Sequence, residues 1–229
     1  MGSGFALLAM EAGAAEIHAA HRTAPTRRQV WLCEPGADAL ILGSAQRLNE
    51  GHERFVARHG FELARRSSGG TGVVVVRGGA VWIDIGLPPG DPLLIDDVSR
   101  SFAPISGAWS EALALIGVRG AEAFSGAMSK GGEFSEVCFA GRASGEILLG
   151  GRKLVGMSQR RSGHGAWFHT MAYLNFPAIL SAEALLPELS GGAQALEGLV
   201  TDLVAAGADC GAGTARFLAG AIAASLSAL

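Results

Sequence analysis

Lysine is almost absent from this sequence: of 229 residues only Lys130 and Lys153 are lysine, and the other basic side chains are arginine. Charge as a whole is scarce, at 17% against the roughly 25% of average proteins. With a formal charge of −3 and a pI near 6.1, the chain offers no basic stripe for a nucleic acid or an anionic membrane surface. Cysteine is equally sparse. Cys33, Cys138 and Cys210 are odd in number and far apart, which excludes a disulfide framework and a C-x-x-C metal site and suits a reduced, cytoplasmic setting. The six histidines form neither H-x-x-x-H nor H-E-x-x-H, so no metal is expected. No apolar run approaches the roughly 18 residues of a membrane span. The first residues lack a basic n-region and carry Glu11 and Glu16, so the stretch 5–22 reads as an amphipathic helix and not as a signal peptide.

What is abundant is glycine, with 34 residues, about twice the usual share of about 7%. A chain of this length and composition suits one well-buried, loop-rich domain over residues 1–229. Short apolar runs "QVWLCE" and "ALILGSA" predict strands, and "LNEGHERFVARHG" predicts a helix stopped by Gly60. Strands "FELARR" and "TGVVVV" flank the polar turn "SSGG", and "AVWIDIGL" is a further strand. Residues 97–117 carry helical spacing with Pro104 as a kink, and should form the long helix. "EVCFA", "EILLGG", "RKLVGMSQ" and "AWFHTMAYLNF" read as strands, with Gly150-Gly151 a two-residue hairpin turn. "ALEGLVTDLVAAG" and "TARFLAGAIAASLSAL" read as closing helices. The expected class is α+β, a mixed or antiparallel sheet packed with helices.

Three segments carry candidate chemistry. In "ARRSSGGTGVVVV" a glycine turn can present several N–H groups to one anion, with Arg65 and Arg66 adding charge-assisted bonds; the bland alternative is a tight turn with solvated arginines. In "GGRKLVGMSQRR" a retained lysine suggests a compact ammonium in a narrow pocket, because a guanidinium is wider and never loses its charge. Strand alternation puts Lys153, Val155 and Met157 on one face and Leu154, Gly156 and Ser158 on the other, with Gly156 leaving room beside the backbone. Lys130, in "SKGGEF", reads as an ordinary exposed lysine. Cys138 in "SEVCFAGR" is by default a small buried hydrophobe; as a nucleophile it needs a lowered pKa, for which Lys153 is one supplier.

Taken in order, "RRSSGG", a valine-rich strand, a Cys-Phe pair, "GRKLVGMSQRR" and a following histidine resemble the biotin and lipoate protein ligase superfamily. The resemblance is strongest over residues 63–174. It implies a catalytic domain of the class II aminoacyl-tRNA synthetase and biotin protein ligase type. It implies Arg66, Ser68, Gly69 and Gly70, with the adjoining Thr71, as pocket residues, Lys153 as the group that contacts the acyl carbonyl, and Gly156, Ser158 and His169 as further substrate-binding positions. The "VCF" before "GRK" is similar to cysteine-dependent octanoyl and lipoyl transferases, which makes Cys138 and Lys153 the implied catalytic pair. The family's frequent His-Asp after the glycine turn is replaced by Val75-Val76, and its His-Gly reads His169-Thr170.

The implied activity is transfer of an octanoyl or lipoyl group, through a Cys138 thioester, to a lysine of a lipoyl carrier domain, either a dehydrogenase E2 or a glycine-cleavage H-type protein. Acyl carrier protein is a candidate donor, and neither nucleic acid nor membrane is an expected partner. Such a transferase requires no cofactor. The rival is an ATP- and magnesium-dependent lipoate ligase with Cys138 as packing, although no stretch is left for the extra C-terminal domain of many such ligases. A third reading, of another class, is a non-catalytic acyl or adenylate binder.

Overall fold

Gly150 and Gly151 have φ of 57° and 78°, and Leu149 pairs with Arg152 directly across them. Both central residues of such a two-residue turn require positive φ, which glycine supplies at no steric cost. In the computed structural model, which describes residues 4–98 and 100–229, this hairpin lies near one edge of a seven-stranded sheet.

In chain order the elements are β1 (Ala6–Ala12), α1 (Ala14–Ala20), β2 (Gln29–Pro35), β3 (Ala39–Leu42), α2 (Glu50–His59), β4 (Glu62–Arg65), β5 (Val73–Val75) and β6 (Ala80–Leu87). There follow α3 (Ala103–Leu115), β7 (Ala121–Ala123), β8 (Ile147–Leu149), β9 (Arg152–Ser162), β10 (Gly165–Tyr173), α4 (Ala178–Leu185), α5 (Gly192–Glu197) and α6 (Thr214–Ser227). The large sheet runs β1-β2-β6-β10-β9-β8-β7, antiparallel except for the parallel β1/β2 pair, and a small sheet runs β4-β3-β5. The fold is thus α+β, a mixed sheet packed with helices.

Strand alternation divides the sheet's two faces. From β6, Ile83 and Ile85 join Phe168, Val155 and the buried Trp109, Leu218 and Ile222 of α3 and α6 in the main core. Trp82 belongs instead to a second cluster, with Ile17 of α1, Ile41 and Val75 of the small sheet, and Phe139. Asp84 follows Trp82 onto that second face. The candidate site lies there, between the large sheet and the cover of α1 and the small sheet.

Several expected elements change. Residues 5–22 are not one helix: Ala6–Ala12 pair residue for residue with Gln29–Pro35, and only Ala14–Ala20 are helical. Ala, Leu, Met and Glu favour helices, but parallel pairing along β2 outweighs a weak local propensity. In the stretch 97–117, Arg100–Phe102 form a 3₁₀ turn, and Pro104 sits in the first turn of α3, where its missing N–H costs nothing. Ser99 of that stretch lies outside the described residues. Nor is α3 the longest helix, since α6 exceeds it by one residue, 14 against 13. "EVCFA" is not a strand but one bridge from Val137 to Gly72 followed by a 3₁₀ turn, Cys138–Ala140.

The stretch 195–207 departs furthest, for α5 ends at Glu197 and Val200 then pairs with Lys153. Asp202 instead opens a turn, its carboxylate accepting from the Ala205 N–H (2.8 Å), and ties that turn to the Phe176 N–H (3.0 Å). By contrast α2 is as expected, with Asn49 accepting from the His52 N–H and Gly60 closing the helix at φ 69°. Among the described residues no helix is long and apolar enough to cross a membrane.

Candidate functional site

The glycine turn meets the cysteine through the backbone. Gly72 N–H donates to Glu136 O and Cys138 N–H donates to Gly72 O, both at 2.9 Å, so the 3₁₀ turn bearing Cys138 is fastened beside "RRSSGGT". The two arginines part company here. Arg65 Nη1 is bound to the carbonyls of Gly43 (2.8 Å) and Gln46 (2.6 Å), whereas Arg66 is buried and its Nη2 donates to Thr71 O (2.9 Å) and lies 3.2 Å from Cys138 Sγ. Adjacent residues on a strand point to opposite faces, so only one of the pair can reach the site. Gly70, at φ 96°, makes the approach possible: a Cβ there would collide with the Arg66 guanidinium and stand 3.5 Å from Cys138 Sγ.

Burial pushes the Cys138 thiol up, but the charges of Arg66 and then Lys153 outweigh it, and the net direction is down despite the opposing charge of Glu146. Burial pushes Cys33 up, and burial followed by Asp209 pushes Cys210 up. Iodoacetamide should therefore label Cys138 at a pH where Cys33 and Cys210 remain unreactive thiols. In Arg66→Ala the labelling profile should move to higher pH, as peptide mass spectrometry of the alkylated protein would show.

Lys153 is fully enclosed. Its Nζ lies 2.8 Å from both Glu146 carboxylate oxygens, donates to Cys138 O at 2.9 Å, and stands 5.5 Å from the centre of the Phe139 ring. Glu146 is itself oriented by the N–H groups of Ala143 (2.7 Å) and Met157 (3.3 Å). The lysine backbone is held by the segment after α5, with Lys153 N–H donating to Leu199 O and Thr201 N–H to Lys153 O, both at 2.9 Å. A register shift between Ile147 and Leu148 sets Leu148 against Lys153 and Ile147 against Val155. This bulge breaks the simple alternation, so Lys153 and Ser158 line the same cavity although strict pairing separates them.

Two cavities meet at Arg66, Cys138, Met157 and Ser158. The wide one encloses about 2100 Å³, open space at its mouth included, and reaches Gly69, Gly70, Thr71 and Lys153. The narrow one, about 440 Å³ on the same basis, runs under the small sheet past Gly156 and Phe139 to Trp82, His18 and His169. A Cβ at Gly156 would lie 2.9 Å from the Phe139 ring, so a larger residue there would displace that wall.

Beyond the narrow cavity a carboxylate holds two imidazoles. Asp84 Oδ2 lies 2.6 Å from His21 Nδ1 and 2.8 Å from His169 Nδ1, and Trp82 Nε1–H donates to Oδ1 at 2.7 Å. Burial would raise the Asp84 carboxyl, but the charge of and hydrogen bond from His169, with those of His21, hold it well below the usual carboxylate range. The two imidazole nitrogens and Oδ2 lie within 4.8 Å of one another, near enough for a shared metal ion. The separations of 2.6 and 2.8 Å to one ionised oxygen are those of charge-assisted hydrogen bonds, with both Nδ1–H groups donating.

A profile of the lipoyl protein ligase A/B catalytic domain matches residues 8–188. The chain belongs to that family. Among curated proteins none matches. Solved structures agree on the fold. The lipoate protein ligase of Thermoplasma acidophilum, described as bi-partite and studied with its E2 lipoyl domain, superposes at a TM-score of 0.72 and 16% identity over 97% of this chain and 84% of that one. A lipoate-protein ligase A bound with ATP gives 0.73 and 16%, over 97% and 85%. A P. falciparum protein in complex with lipoate gives 0.62 and 10%, over 94% and 57%.

In this member of the lipoyl protein ligase family, nine of the ten expected site residues line the joined cavities: Arg66, Cys138 and Ser158 at the junction, Gly69, Gly70, Thr71 and Lys153 in the wide one, Gly156 and His169 in the narrow one. The tenth, Ser68, is buried beneath them with its Oγ 2.9 Å from Ser158 Oγ. Arg66, not Lys153, stands nearest the thiol. Glu146, Asp84, His18 and His21 were not anticipated. One signal was available for the last two, because H-x-x-H at 18 and 21 places both rings on one face of a short helix. Glu146 carries no local signal, being one carboxylate at the start of an apolar strand.

Proposed function

We propose that this chain transfers a medium-chain acyl group, octanoyl or lipoyl, onto a lysine of a lipoyl carrier domain, with Cys138 as the intermediate acyl carrier. The observation that carries the reading is the Cys138 thiol at the junction of the two cavities, 3.2 Å from a buried guanidinium that favours its thiolate. The thiolate attacks the carbonyl of an acyl thioester, the donor thiolate departs, and the acyl group is left on sulfur with its chain in the narrow cavity. The acceptor amine, in its neutral form, then attacks that thioester, gives up a proton to solvent as the amide forms, and releases the Cys138 thiolate. Each methylene buried in the cavity contributes about 0.8 kcal/mol. Lys153, held by Glu146 and Cys138 O, sets a positive charge beside the cavity, where it stabilises the oxygen that gains charge at either addition step.

Intact-mass analysis after incubation with octanoyl-acyl carrier protein tests this. The expected result is a hydroxylamine-labile octanoyl adduct on Cys138 that disappears when a lipoyl domain is added. If no adduct forms while ATP, lipoate and a lipoyl domain together yield the modified domain, the ligase reading replaces the transferase.

One observation favours that second reading: the wide cavity beside Lys153 has ample volume for a nucleotide, and the turn Gly69–Thr71, Lys130 and Arg142 supply groups suited to phosphates. The donor set suits magnesium less well. The two carboxylates lining this cavity are engaged, Glu146 by Lys153 and Glu136 by Gln46 Nε2 at 2.7 Å.

Two substitutions at the turn separate a binding role from a folding one. Arg66→Ala and Gly70→Val should both reduce the thermal shift produced by octanoate, since both act on the Arg66 guanidinium, but Gly70→Val alone should also lower the ligand-free melting point, because a β-branched residue at φ 96° is strained. An undiminished octanoate shift in both variants would return "RRSSGG" to the role of an ordinary turn.

A further inference from the structure

The narrow cavity is walled by hydrocarbon for most of its length, by Ile41, Val73, Phe139, Met157 and Met171, yet two imidazoles face it. His18 and His169 are more than nine-tenths buried, and His18 Nδ1 and His169 Nε2 have no hydrogen-bond partner. Buried polar atoms are nearly always paired, and each exception needs a physical reason. A plain hydrocarbon chain seated here would shut both nitrogens away from every partner.

The rings are held in place. Asp84 fixes His169 through Nδ1 and so turns the free Nε2 edge away from the carboxylate. His18 packs on Trp82 with ring centroids 4.8 Å apart and meets His169 edge-on at 5.4 Å. Burial and then the neighbouring His169 push His18 down to about 3, so at neutral pH it is an uncharged ring with one donor and one acceptor nitrogen. An acceptor nitrogen on His169 next to an uncharged imidazole that donates or accepts suits a small group that does both, which among simple chain substituents is a hydroxyl.

We propose that the acyl group for which this cavity is built carries a hydroxyl on its chain, which meets the unpartnered nitrogens of His18 and His169. The inference rests on the narrow cavity being the acyl pocket and, among medium-chain acyl groups, ranks hydroxylated chains above octanoyl and lipoyl. An unsubstituted chain of equal length forfeits the hydrogen bonds to both rings. Loss of one or two such buried bonds corresponds to roughly 10- to 100-fold in affinity.

The test is calorimetric titration of the full chain with octanoate, lipoate and a set of octanoates hydroxylated at successive carbons. One positional isomer of hydroxyoctanoate should bind roughly 10- to 100-fold more tightly than octanoate. In His18→Phe, which keeps an aromatic ring against Trp82, that preference should fall to near unity. Octanoate or lipoate binding as tightly as every hydroxyoctanoate would overturn the inference and leave the acyl pocket standing. Failure of all these acids to bind would remove the pocket reading itself. The wild-type comparison needs no variant to fold, and the His18→Phe melting curve shows whether loss of preference reflects the site or the fold.

Discussion

Replacing Lys153 by methionine should cost about 3–5 kcal/mol of stability, because it leaves the Glu146 carboxylate buried without its counter-charge. It should also remove the positive charge proposed to stabilise the acyl oxygen, slowing transfer by roughly 100-fold or more. The two losses come apart in the double variant Lys153→Met/Glu146→Leu. With both charges gone the buried pair is replaced by apolar side chains, so most of the stability should return while transfer stays lost. Lys153→Arg makes the same distinction by shape. The guanidinium keeps the charge but is too wide for a space bounded by Glu146, Cys138 O and the Phe139 ring, and transfer should fall nearly as far as in Lys153→Met. Melting curves and single-turnover acyl transfer provide the two readouts. An arginine variant with wild-type transfer would show that position 153 supplies only charge.

Cys138→Ser should leave the fold intact, since the thiol packs at a cavity junction and serine differs there by one atom. No hydroxylamine-labile adduct should form on residue 138, because an alcohol beside Arg66 is a far weaker nucleophile than a thiolate. Transfer from octanoyl-acyl carrier protein should drop by at least about 10³-fold, the scale on which loss of a covalent nucleophile is felt. Full modification of the carrier by Cys138→Ser, measured by mass spectrometry and dependent on ATP, would reassign the activity to a ligase in which Cys138 only packs.

Much of the local fold and of the candidate site was legible from short stretches. The hairpin Gly150-Gly151, the Gly60 stop of α2 and the limits of β6 follow from turn chemistry and strand periodicity, which act over a few residues. Eight of the ten candidate residues that gather at the two cavities lie in "RRSSGGT" and "GRKLVGMSQRR". In both stretches the chemistry is written in side chains that no generic turn or strand requires, a buried arginine and a rare lysine.

Tertiary structure alone decided the rest. Which of Arg65 and Arg66 reaches the thiol depends on the face β4 turns toward Cys138, and that face is set by pairing with β3, 20 residues or more away in the chain. The helical reading of residues 5–12 failed because a parallel partner supplied what local propensity cannot register. The Lys153–Glu146 pair depends on the bulge between β8 and β9, and the Asp84 cluster on α1 folding across β6 and β10. Local sequence specifies backbone conformation through interactions within a turn or two. It does not specify which buried charge will meet which, because that meeting is the outcome of packing whole sheets and helices against one another.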